Sequence, residues 1–133
     1  YNRHFRMTDP RKLKRKKGED EACELLISLG HSILERNWRH GHKEVDIISL
    51  AGNELHIVEV KSKTAPVVAD PVLSVGRAKQ DYLARAAAAY LHSVQRQQLP
   101  HNLEVIFDVV SVVFDNGQAH IKYYPQAFIP TYA

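Results

Sequence analysis

Glu59 and Lys61 stand two residues apart at the end of the apolar run "NELHIVEVKSK", residues 53–63. In an extended strand successive side chains alternate faces, so these two project together while Val58 and Val60 point the other way. One reading of such a pair is a solvated surface contact contributing about 0 to 1 kcal/mol. The other is a reactive site, in which the acid holds a cation and the amine steadies negative charge developing nearby. Glu-x-Lys alone does not choose between them, because both residues are common.

The preceding segment bears on the choice. "EVDIISL" (44–50) has strand character, and "AGN" turns it into the strand carrying Glu59 and Lys61, making the two hairpin neighbours. Glu44 and Asp46 share a face of the first strand, and a cooperating register brings Asp46 to Glu59. Two carboxylates held at close range repel, so the pair requires a cation between them or a shifted protonation state. Mg²⁺, or Mn²⁺ in its place, suits that position: it takes hard oxygen ligands and accepts one or two protein carboxylates. Its other positions stay open to water and substrate phosphate.

The elements that must position these residues are legible as periodicity. From Gly18 onward Ala22, Leu25, Leu26 and Leu29 recur at helical spacing, and Gly30 supplies the stop. Glu19 extends that inward stripe, whereas Asp20 and Glu21 are explained by the helix macrodipole. "HSILERNW" (31–38) is a first strand. After the loop "SKTAPVVADP", Asp70 and Pro71 open a long helix running through Gln98, which Pro100 ends. Its stripe of Tyr82, Leu83, Ala86, Ala87, Tyr90, Leu91 and Val94 is core material. "EVIFDVVSVVF" (104–114), apolar on both faces, is a central strand covered by helices. "AHIKYY" (119–124) follows the turn at "DNG" as the last strand. The order helix, three strands, helix, two strands predicts an α/β fold with a central mixed sheet flanked by helices.

Composition bounds the setting. A chain of 133 residues with ordinary apolar content reads as one globular domain over 18–133. No apolar run approaches a membrane span and no signal-peptide pattern opens the chain, so the expected compartment is the cytoplasm. Cys23, the only cysteine, has no partner and reads as a small core residue. The net charge of +3 divides into +7 over residues 1–17, where eight Lys or Arg face Asp9 alone, and −4 over the rest. A flexible basic arm that includes Lys12, Lys14, Arg15, Lys16 and Lys17 suits a phosphate backbone; a solubilising tail is the alternative. "YNRHFR" before Met7 lacks structural logic and stays outside the fold argument.

With these motifs in order, the chain resembles the PD-(D/E)xK nuclease superfamily of restriction enzymes and Holliday junction resolvases. More specifically it is similar to the YraN family of bacterial proteins. The likeness runs from about Gly18 to Phe128. It rests on "GEDEACELLISLGHSILERNWR", "KEVDII", "IVEVKSK", "FDVV" and "QAF". Lys43 stands where a Gly is common and Lys63 where an Arg is usual, which bears on phosphate contacts rather than on acids. The resemblance implies a restriction endonuclease-like αβββαβ core, with Asp46 and Glu59 holding the divalent metal and Lys61 orienting or activating the attacking water. It also implies a contribution from the Val60 backbone carbonyl and from Glu19 through a water, with Lys79 and Gln80 facing the site. Glu44 is either a further ligand or the partner of Lys43, Lys61 or Arg39.

Other features carry less. "HGH" (40–42) lacks a third zinc ligand at recognisable spacing. Arg36, Arg39, His40, His42 and Lys43 precede the acidic strand, where they either touch a nucleic-acid backbone or form a solvated loop. Asp108, in a buried apolar strand, must be paired and reads as structural. Trp38 reads as a half-buried anchor rather than a base-stacking ring. Two functions follow: a metal-dependent endonuclease cleaving DNA, branched or junction DNA included, working as a homodimer where a symmetric junction needs two cuts; or a non-catalytic nucleic-acid-binding protein that keeps the fold. Converging acids repel phosphate, so a binding-only protein has no physical need of them.

Overall fold

A computed structural model describes residues 9–67, 75–93 and 99–130. Helix α1 spans Pro10–Ser28 and is followed by strands β1 (Ser32–His40), β2 (Lys43–Ala51) and β3 (Glu54–Thr64). Helix α2 spans Arg77–Leu91, and β4 (Glu104–Asp115) and β5 (Gln118–Tyr124) complete the order. The five strands form one sheet in the order β1-β2-β3-β4-β5. β3 pairs with β4 in parallel and every other neighbour is antiparallel. This is the mixed sheet of an αβββαβ core.

Alternation along the strands builds two cores. Ile47, Val58, Val110 and Val112 pack against Ala22, Cys23 and Leu26 of α1. Val45, Ile48, Leu55, Ile57 and Phe107 pack against Tyr82, Leu83, Ala86, Ala87 and Tyr90 of α2. The helices therefore cover opposite faces, which is why β3 and β4 read as apolar on both sides. Cys23 is a buried core residue. Trp38 is the half-buried anchor expected of it, edge-on to Tyr90 at 5.2 Å between ring centroids.

Two boundaries differ from the sequence expectation. Helix α1 begins at Pro10, not Gly18, so Lys12, Lys14, Arg15, Lys16 and Lys17 belong to a helix rather than to a flexible arm; residues 1–8 lie outside the described residues. The cause is the Asp9–Pro10 pair: the Asp9 carboxylate accepts the Arg11 N–H at 2.9 Å and proline occupies the first turn. The second helix begins at Arg77 behind Gly76 and ends at Leu91. The proposed opening at Asp70 and Pro71, and Val94 through Gln98, lie outside the described residues. Among the described residues no helix is long and apolar enough to cross a membrane.

α1 approaches the sheet unusually closely at one point. A Cβ on Gly18 would run into the Ser62 hydroxyl and lie 3.0 Å from the Ser62 Cβ. Glycine is required there so that the next residue, Glu19, can sit against the sheet at 6% exposure.

Candidate metal centre

The hairpin of β2 and β3 pairs from Ala51↔Glu54 up to Ile47↔Val58, a register that sets Asp46 opposite Glu59. There the alternation of β2 breaks. Val45 packs toward α2 whereas Ile47 packs toward α1, although residues two apart should share a face. The facing position on β1 is equally irregular, with Asn37 in the left-handed region at φ 54° between the pairs Arg36↔Ile47 and Trp38↔Val45. The kink turns Asp46 along the sheet, and its Oδ2 accepts the Val60 backbone N–H at 2.8 Å. A side chain thus takes a hydrogen bond that a regular ladder would give to a backbone carbonyl.

The Asp46 and Glu59 carboxyls interact directly across the parting strands. Burial, the hydrogen bond to Glu59 and the repulsion of its charge push the Asp46 carboxyl up to about 8; the Val60 N–H opposes this and Glu19 adds to it. Glu59 is 14% exposed and is met by Lys79 Nζ at 3.1 Å from its Oε2. Lys61 follows Glu59 by two residues on β3, on the same strand face.

The pair opens into a cleft of about 460 Å³ lined also by Glu44 and Val60 and by five basic side chains: Arg15 from α1, Arg39, His42 and Lys43 from the β1–β2 hairpin, and Lys79 from α2. Gly41, at φ 68°, makes the tight turn that brings Arg39, His42 and Lys43 together. Lys43 also lies over the Tyr82 ring, 5.4 Å from its centroid. Arg15 is the residue whose placement depended on the helix starting early.

Glu19 stands beside this pair and not within it. Its Oε1 accepts from Asn37 Nδ2 at 3.0 Å and lies 3.6 Å from an Arg36 nitrogen. Among the described residues no three His, Cys, Asp or Glu side chains come together closely enough to hold a metal ion, so the acidic centre is the pair. Two carboxylates suit Mg²⁺, which keeps most of its shell for water and substrate oxygens. Their repulsion is what a divalent cation would relieve.

Several other candidates lie elsewhere. Arg36 is engaged by Asp20 at 2.8 Å as well as by Glu19, so it braces α1 against β1. Lys16 pairs with Asp20 at 3.3 Å along the helix. Glu44, which lines the cleft, pairs with Arg39 at 3.3 Å, one of the partners foreseen for it. The Gln80 amide donates to the Val75 carbonyl at 2.7 Å, fastening the start of α2. Lys12 and Lys63 are exposed, and Lys14 and Lys17 line a different cleft.

Asp108 is wholly buried and fully engaged. His56 Nδ1 and the Tyr123 hydroxyl each reach its Oδ2 at 2.6 Å, and the Gln126 N–H donates to Oδ1 at 2.8 Å. His56 Nε2 reaches Glu54 at 3.0 Å, and the His31 ring lies 4.4 Å from that of His56. Asp108 is hydrogen-bonded, as its buried setting required. The histidines were not foreseen; the signal was His56 breaking an apolar run.

The model of the uncharacterised protein family UPF0102 matches residues 18–112. The chain belongs to the UPF0102 family. A UPF0102 protein of Bacteroides thetaiotaomicron is 38% identical over 115 residues, covering 86% of this chain and 91% of that one. One from Nitratidesulfovibrio vulgaris is 44% identical over 85 residues, 64% of this chain and 63% of the relative. One from Bordetella avium is 35% identical over 128 residues, 94% and 84% of the two chains. This is the YraN-like family that the motifs resemble. The stretch matched to UPF0102 contains Glu19, Asp46, Glu59, Lys61 and Lys79 and begins after the basic turns that open α1.

Proposed function

We propose that this protein is a metal-dependent nuclease that hydrolyses phosphodiester bonds in DNA. The observation that carries the reading is the convergence of Asp46 and Glu59 at the parting of β2 from β3, with the Asp46 carboxyl pushed up to about 8 inside a cleft walled by cations. A site that serves only to bind phosphate gains nothing from half-buried, repelling acids. A site that holds Mg²⁺ or Mn²⁺ needs them.

Asp46 and Glu59 hold the metal in this reading, the Val60 carbonyl assists, and Glu19 acts through its field and through water. A divalent metal held there would supply Lewis acidity to a phosphoryl oxygen and would make the attacking water more acidic. The Val60 N–H fixes the rotamer of Asp46. Lys61, two residues past Glu59, orients the attacking water and offsets negative charge as it develops on the phosphoryl group. Arg15, Arg39, Lys43 and Lys79 hold the phosphates on either side of the scissile one, which gives binding a steep salt dependence.

The test is cleavage of a panel of duplex, single-stranded, flap and four-way-junction DNAs by wild type, Asp46→Ala, Glu59→Ala and Lys61→Ala in Mg²⁺ and in Mn²⁺. Wild type should cut at least one substrate, the two carboxylate variants should be inactive, and Lys61→Ala should be slowed while still binding metal. Variants that cut as fast as wild type would remove these residues from the chemistry. Tight DNA binding without cutting in either metal would favour a binding protein.

A further inference from the structure

A second cleft, of about 720 Å³, lies beside the first turns of α1. Arg11, Lys14 and Lys17 rise along one stripe of the helix at intervals of three, and Phe114 and Ala119 from β4 and β5 form the apolar far wall. Leu13, an exposed apolar side chain at 40%, lies on the near rim. Two acids also line it. The Asp20 carboxylate is met by Arg36 at 2.8 Å and Lys16 at 3.3 Å; burial alone would raise its pKa, but those partners hold it below its ordinary value. Glu21 is then the remaining acid among three cations.

The two clefts are neighbours. Lys14 faces one and Arg15 the other, so the opening turns of α1 form a ridge between them. Val60 lines the acidic cleft and Thr64 the second one; they are four steps apart along β3, roughly 13 Å at about 3.3 Å per residue. Cations along an apolar, aromatic wall match a chain that carries phosphates on one side and unpaired base faces on the other. Duplex DNA presents no such faces.

We propose that this second cleft binds a single-stranded arm of nucleic acid that leaves the duplex seated at the acidic cleft, with the first turns of α1 parting the two. The proposal rests on the nuclease reading for the position of the duplex, and it narrows the substrate to DNA in which duplex and single strand meet. Stacking of a base on Phe114 contributes part of the affinity and the Lys14 and Lys17 charges contribute the rest.

Fluorescence anisotropy of the full chain in EDTA tests it, using a blunt 20-base-pair duplex and the same duplex with a ten-nucleotide single-stranded tail. Wild type should bind the tailed duplex about tenfold more tightly. Lys14→Glu/Lys17→Glu should abolish that advantage while leaving Mg²⁺ binding, read separately by calorimetry, unchanged. Phe114→Leu, which keeps an apolar side chain in the core, should reduce the advantage about fivefold, the effect of one lost stacking contact of about 1 kcal/mol. A tail that adds less than twofold, or a double variant that weakens blunt and tailed duplex equally, would overturn the proposal. A tail preference that persists in a protein unable to bind Mg²⁺ would support the cleft and count against the nuclease.

Discussion

The Asp46 carboxylate accepts the Val60 backbone N–H at 2.8 Å, one residue past Glu59, at the point where β2 and β3 stop pairing. That bond fixes Asp46 next to a second carboxylate that it would otherwise avoid. The metal-free fold therefore carries an electrostatic cost at its centre, and the cost depends on pH.

Because the Asp46 carboxyl is raised to about 8 from an unfolded value near 4, the folded protein holds more protons than the unfolded chain between those limits. Stability of the metal-free protein should thus fall as pH rises from about 4 to 8. Asp46→Asn keeps an acceptor for the Val60 N–H and carries no charge. In thermal melts with chelator it should be more stable than wild type at pH 8, by several degrees at roughly 4 °C per kcal/mol, and the gain should shrink at pH 5. Parallel pH profiles for the two proteins would contradict this.

Lys79 Nζ lies 3.1 Å from Glu59 and supplies positive charge where a metal would otherwise supply it. Lys79→Met should therefore tighten Mg²⁺ binding several-fold in calorimetry while weakening DNA binding. Weaker Mg²⁺ binding in this variant would show that Lys79 assists the metal rather than competing with it.

Asn37 holds Glu19 from a left-handed backbone, so Asn37→Gly removes the amide and keeps the backbone conformation. A double-mutant cycle with Glu19→Ala in urea should give a coupling of about 1 kcal/mol. Additive effects would mean that Arg36 alone positions Glu19.

Burial alone would lower the His56 pKa, but Asp108 and Glu54 overcome it and hold the ring above its ordinary value. The stabilisation is fully present below the unfolded histidine value near 6.5 and is lost as pH rises through the folded one. His56→Gln, made in the Asp46→Asn background to remove the other slope, should flatten stability against pH in that range. A profile that stays steep would place the proton elsewhere.

The sequence exposed what periodicity and alternation encode. Strands β2 to β5 fell within one or two residues of their expected ends, and Glu19 sat on the inward stripe of its helix. The start of α1 is hidden in the sequence because eight basic residues outweigh the Asp9–Pro10 cap, the same signal that stands at Asp70–Pro71. The kink at Asn37 and Asp46 was not legible, since a strand pattern assumes that residues two apart share a face. Nor were the partners of Arg36 and Lys79, which depend on how the helices lie over the sheet.

In the proposed function Asp46 and Glu59 form a divalent metal site. Calorimetric titration of Mg²⁺ and Mn²⁺ into wild type, Asp46→Ala and Glu59→Ala at pH 8 tests it most directly. Wild type should show one site and neither variant any, with protons released on binding as the Asp46 carboxyl ionises. Equal binding by all three proteins, or no binding by wild type with DNA present, would contradict it.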